Sequence, residues 1–187
     1  MGVYLLVFSA YDRAMDSMMI RRFLGPEEVA WYGLAYKIYG VLVQPAYYLV
    51  SSIFPLLSSR ENNKKLFLLS TGVLFSGGIT VMLGTWILAP LMINVLAGSE
   101  FAASVAVLRI LAVALVFSYL GHIVGFTLIS KERQKEMLVY GIVAMLFNFS
   151  ANLVVIPSYG IIGAAWVTVL TELISMLLMA SKLRKRA

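Results

Sequence analysis

Six charged residues fall inside stretches that are otherwise long and apolar: Asp12, Arg13, Asp16, Lys37, Arg109 and Glu172. A charge near the middle of a bilayer costs at least a few kcal/mol, so it normally faces a partner charge or a wet cavity. Counted from the outer helix ends at about 1.5 Å per residue, Asp16 and Arg109 lie roughly 10 Å deep, Lys37 about 12 Å, Arg13 about 14 Å and Glu172 about 18 Å. Asp12 and Asp16 are four residues apart and share one helix face, while Arg13 points about 100° away. Two carboxylates that close repel each other unless a cation is near. An Asp16–Lys37 ion pair is therefore expected, because adjacent antiparallel helices bring the two level. The acid left over is a candidate proton or sodium carrier. A cavity holding Arg13, Lys37 and Arg109 could receive an anionic headgroup; the plainer alternative is paired charges that only orient helices.

Glu172 closes the run Thr168-Val169-Leu170-Thr171-Glu172 in an apolar helix. It is expected either to hydrogen-bond a neighbouring helix or to face the cavity. His122 lies beside glycines in Gly121-His122-Ile123-Val124-Gly125, where packing is the simpler reading and gating the other. With no cysteine and this single histidine among 187 residues, thiolate catalysis and cysteine- or multi-histidine metal sites are excluded. No cofactor or metal is expected.

These charges need elements to hold them. The chain is 61% hydrophobic and 13% charged, about half the charge of a soluble domain. Six segments approach the roughly 20 apolar residues that span a bilayer. They cover about 2–21, 29–57, 66–93, 102–129, 137–156 and 161–180, with a basic tail at 181–187. The first carries charges at its centre and has no basic leader, so it reads as a span rather than a signal peptide. An all-α, polytopic membrane protein follows.

The loops set the orientation. Arg60, Lys64 and Lys65, then Lys131, Arg133 and Lys135, then Lys182, Arg184, Lys185 and Arg186 follow alternate spans. The opposite loops carry only Arg21 and Arg22, offset by Glu27 and Glu28. The positive-inside rule predicts a cytoplasmic-membrane protein with both termini in the cytoplasm. Basic residues clustered between apolar runs also argue against nucleic acid as a partner. Pro45 and Pro90 are candidate hinges. Pro90 is expected to break or bend the third span, leaving a short interfacial helix at 91–97. The Gly121/Gly125 pair and Gly77, Gly78, Gly84, Gly160 and Gly163 are expected to let helices approach closely.

Three stretches, taken in order, resemble a known family. Arg21-Arg22-Phe23-Leu24-Gly25-Pro26-Glu27-Glu28-Val29-Ala30-Trp31-Tyr32-Gly33-Leu34-Ala35-Tyr36-Lys37 resembles the turn and following helix of Wzx-type polysaccharide flippases. These belong to the multidrug/oligosaccharidyl-lipid/polysaccharide exporter superfamily. Ser52-Ile53-Phe54-Pro55-Leu56-Leu57-Ser58 is similar to the helix end that follows, and the stretch from Asn152 to Trp166 to the junction before a lobe's last helix.

The resemblance implies two six-helix lobes facing each other in a V. It implies alternating access that moves a polyprenyl-diphosphate-linked glycan across the bilayer. Arg13, Lys37 and Arg109 would then be diphosphate candidates, with Asp12, Asp16 and Glu172 as ion-coupling or charge-balance candidates. Six helices make one lobe, read here as the C-terminal one. A fragment of a longer protein is expected, or a lobe needing a missing N-terminal lobe or a second copy. A polysaccharide polymerase or glycosyltransferases are further candidate partners.

Three rival readings remain open: a multidrug cation antiporter of the same superfamily, a membrane prenyl-diphosphate transferase built on the DxxxD of Asp12 and Asp16, and a non-transporting scaffold. The basic count favours an anionic cargo and so weighs against the first, and a single carboxylate cluster weakens the second. The chain is expected not to be an enzyme.

Overall fold

The computed structural model describes residues 15–59 and 63–184. Asp12 and Arg13 lie outside the described residues. Among the described residues all regular structure is helical. Helical residues 15–23 form α1, followed by α2 (Pro26–Ser58), α3 (Asn63–Ala97), a 3₁₀ turn (Ser99–Phe101), α4 (Ala103–Ser130) and α5 (Gln134–Arg184). Four of these, α2 to α5, are long and apolar enough to cross a membrane. The chain is thus built as a multi-pass membrane protein.

A straight helix of 51 residues would be about 76 Å long, more than twice the hydrocarbon thickness of a bilayer. α5 instead folds back on itself at Gly160, whose φ of 61° and ψ of −152° are non-helical. Asn148 on the first arm meets Thr171 on the second at 3.3 Å, although 23 residues of straight helix would separate them by about 35 Å. That backbone conformation is essentially open to glycine alone. The two arms are 134–159 and 161–184, joined by a one-residue turn where a loop between spans at 137–156 and 161–180 was expected.

Side-chain contacts give the directions of the other helices. Trp31, Tyr39, Tyr47 and Phe54 of α2 meet residues 100–104, Ser118, His122 and Phe126 in that order, so α2 and α4 run parallel. Gly78 of α3 approaches Val116, while Trp86 meets Arg109, so α3 runs antiparallel to α4. The turns at Gly25, Gly98 and Gly160 therefore gather at one end. At the other end Arg133 donates to the Lys182 carbonyl at 2.9 Å.

α4 is the hub. Leu108, Leu111, Leu115, Ile123 and Leu128 are fully buried between α2, α3 and the second arm of α5. α3 instead exposes Leu83, Trp86, Ile87, Leu91 and Val95, an apolar face suited to lipid.

One expectation about the helices needs correction. α3 does not break at Pro90 but continues to Ala97, and the short helical turn lies later, at Ser99–Phe101. α2 likewise runs unbroken through Pro45 and Pro55. A membrane helix tolerates proline where neighbouring groups satisfy the freed carbonyl, and such a donor is present at Pro90, as described below.

The turn of α5 also sets a packing limit. A methyl group on Gly163 would overlap Val155 Cγ1 and lie 2.7 Å from Tyr159 Cβ, whereas one on Gly84 meets nothing within 4 Å. Gly163→Ala should lower the thermal midpoint in detergent, at a cost of about 1–3 kcal/mol. Gly84→Ala should be neutral or slightly stabilising. Equal midpoints for the two variants would contradict the hairpin.

Candidate functional site

Asp16 is the buried charge around which polar groups collect. It is 3% exposed, in a helical stretch beside Met15, Met18, Met19 and Ile20. Tyr32 of α2 donates its hydroxyl proton to Asp16 Oδ2 at 3.0 Å. Asn152 on the first arm of α5 donates through Nδ2 to Asp16 Oδ1 at 2.9 Å and to Asn148 Oδ1 at 3.1 Å. Asn148 donates in turn to Thr171 Oγ1 at 3.3 Å, and Thr168 Oγ1 lies 3.2 Å from the Tyr32 hydroxyl. Helical spacing explains the convergence. Asn148 and Asn152 are i,i+4, and Thr168 and Thr171 are i,i+3, so each pair lies on one face.

One atom of this network is left over. Asn152 is fully buried, and its Oδ1 has no hydrogen-bond partner. An orphaned buried acceptor costs about 1–3 kcal/mol. The same amide reaches the Asp16 carboxylate and the Asn148 amide oxygen through Nδ2, and the Tyr32 and Thr168 hydroxyls belong to the same network. A carboxylate among amide oxygens and hydroxyls offers the oxygen donors that a proton or a hard monovalent cation prefers.

A second node lies two turns along α2. Tyr39 shares a 2.6 Å hydrogen bond with Ser118 of α4 and reaches Glu172 Oε1 at 3.4 Å. Of the two readings of Glu172, the hydrogen bond to a neighbouring helix is present. The rings of Tyr32, Tyr36 and Tyr39 form a ladder with centroids 5.7 and 5.6 Å apart. It joins the Asp16 node to the Glu172 node.

Lys37 is not part of either node. The expected Asp16–Lys37 ion pair does not form; Lys37 is exposed, and with Tyr36, Gly40, Val41 and Gln44 it lines a groove of about 310 Å³ along α2. The reason is azimuth. Five residues of helix turn Lys37 about 140° away from Tyr32, so α2 cannot present both to Asp16. Matching depth placed the two charges level but on different sides of the helix. Tyr36 belongs to both sides, since it lines the groove and stacks in the ladder.

Arg109 is engaged elsewhere. Its Nε donates to the Trp86 carbonyl of α3 at 3.0 Å, and its guanidinium carbon lies 5.0 Å from the centre of the Trp86 ring. His122 donates from Nδ1 to the Ser118 carbonyl at 2.7 Å and packs edge-on to Tyr47, which is the packing arrangement. At the basic end, Arg133 is held by Glu136 at 2.8 and 2.7 Å. That bidentate hydrogen bonding raises its pKa above the usual arginine value.

Formal charge alone does not single out Tyr32, Asn148 and Asn152. The Asn148-x-x-x-Asn152 spacing inside an apolar run was a usable signal, since two amides on one face of a membrane helix need partners. Replacing Lys37 by Met should leave the thermal midpoint nearly unchanged, because no buried ion pair is broken. Tyr32→Phe should lower it, by about 1–3 kcal/mol for the donor taken from buried Asp16. Destabilisation by Lys37→Met as large as by Tyr32→Phe would contradict this geometry.

Among solved structures, the chain is similar to the lipid II flippase MurJ in an inward closed conformation. The TM-score is 0.81 at 18% sequence identity, covering 96% of this chain and 40% of the flippase. At that identity the likeness is one of fold. The chain spans about two fifths of the flippase's length. No protein-family model matches the chain, and no curated protein matches it.

Proposed function

We propose that this chain is one lobe of a cation-coupled flippase for a lipid-linked glycan, a transporter and not an enzyme. The observation that carries the reading is the position of Tyr36. It separates a groove that presents Lys37 from a buried polar network centred on Asp16. A cation on one side of a helix and a carboxylate site on the other are what coupling an anionic cargo to an ion requires. The fold shared with a lipid II flippase supports the same reading.

In this reading the missing partner is a second lobe, supplied by an N-terminal lobe or by another copy, and α2 lines the space between the lobes. Exposed Lys37 and Gln44 on a membrane helix are costly against lipid and natural against a wet cavity. Lys37, with Arg13, would attract the diphosphate of a polyprenyl-linked glycan. The Wzx-type assignment, the C-terminal position of the lobe and cytoplasmic termini belong to the same proposal.

Asp16 would carry the coupling ion. A proton on its carboxylate or a sodium ion among its oxygens would satisfy Asn152 Oδ1 and neutralise the site. Filling and emptying it would change how α1, the first arm and the second arm pack against α2. Tyr36 would pass that change to the groove. Glu172, linked to the ladder through Tyr39, would balance charge or bind a second proton.

The test is translocation of a polyprenyl-diphosphate glycan by the full-length protein in proteoliposomes. Lys37→Gln should reduce transport at limiting substrate with recovery at saturation. Asp16→Asn should abolish its dependence on an imposed sodium or proton gradient. Transport by Asp16→Asn that still follows the gradient would overturn the coupling assignment. Turnover of a prenyl diphosphate without transport would favour the transferase.

A further inference from the structure

Pro90 lies inside α3, where its ring nitrogen has no hydrogen to donate to the carbonyl four residues back. That carbonyl belongs to Trp86. It is the one that Arg109 Nε reaches at 3.0 Å, from a different helix. We infer that Arg109 replaces the backbone donor that Pro90 lacks and so stitches α3 to α4 across the proline.

Three observations support the pairing. First, α3 continues to Ala97 without a break, as expected if the freed carbonyl is satisfied. Second, the guanidinium also sits over the Trp86 ring at 5.0 Å, so both the backbone and the side chain of one residue hold it. Third, the other prolines inside helices are Pro45, Pro55 and Pro157, which free the carbonyls of Val41, Ser51 and Leu153. Among the described residues, none of those three receives a side-chain donor. A charge-assisted bond to a carbonyl is stronger than the neutral bond it replaces.

The assignment removes Arg109 from the diphosphate candidates. Its Nε and one face of its guanidinium are taken by α3, so its positive charge is fixed at the α3–α4 contact. The inference stands whether or not the chain transports a glycan. It gives Pro90 a defined role: a point where α3 is kept continuous by a side chain of α4 instead of by its own backbone.

A double-mutant cycle on the full-length protein in detergent tests it. Pro90→Ala restores the missing N–H, which makes the Arg109 bond redundant. Arg109→Gln should therefore lower the thermal midpoint by a few degrees when Pro90 is present, and by less than half as much in Pro90→Ala. Hydrogen exchange of the peptides covering 87–97 should rise in Arg109→Gln and return toward wild type in the double variant. If Arg109→Gln does not fold, the double variant should fold, and failure of both overturns the inference. An equal midpoint loss in the two backgrounds also overturns it. So does loss of transport with unchanged midpoints, which would return Arg109 to the substrate site.

Discussion

A carboxylate on an apolar helix has no water to turn to, and Asp16 draws donors from two other helices to compensate. Tyr32 comes from α2 and Asn152 from the first arm of α5, while Thr168 on the second arm meets the Tyr32 hydroxyl. Hydrophobic attraction cannot select one arrangement of helices in lipid, because every apolar face is equally content with acyl chains. Hydrogen bonds to a single buried carboxylate can. The network therefore sets the azimuth of α2 and the closure of the α5 hairpin together. Once Tyr32 faces inward, Lys37 must face outward.

That rotation gives Lys37 and Arg109 different surroundings. Lys37 is left on the open groove of α2, while Arg109 is committed to the Trp86 carbonyl of α3. Depth alone makes the two look alike. Their surroundings make one a free charge beside a cavity and the other a structural bond. Tyr36 lies between the free charge and the carboxylate network and touches both surroundings. The groove and the Asp16 network are therefore neighbours across a single helix.

The architecture was largely legible from residues 15 onward. Long apolar runs punctuated by Gly25-Pro26, Gly98 and basic clusters fix helix ends to within a few residues, because bilayer thickness constrains length so strongly. The turn at Gly160 was not legible in this way, since a glycine beside Gly163 reads equally as a close-packing residue. What failed were the inferences that need rotation about a helix axis or contact between distant helices. The Asp16–Lys37 pair rested on depth, which says nothing about azimuth. The break at Pro90 rested on the local cost of proline, while the compensating donor lies 19 residues further along the chain. Tyr32, Asn148 and Asn152 carry no formal charge and acquire meaning only when Asp16 is placed among them.

The most direct measurement is the thermal stability of the full-length protein in detergent at constant ionic strength. Sodium replaces a bulky organic cation, and the series is repeated as the pH is lowered. Wild-type protein should gain stability from one of the two cations, since either one neutralises Asp16 and meets Asn152 Oδ1. Asp16→Asn, already neutral, should gain none. A variant that responds to sodium and to pH as the wild type does would contradict a cation site at Asp16.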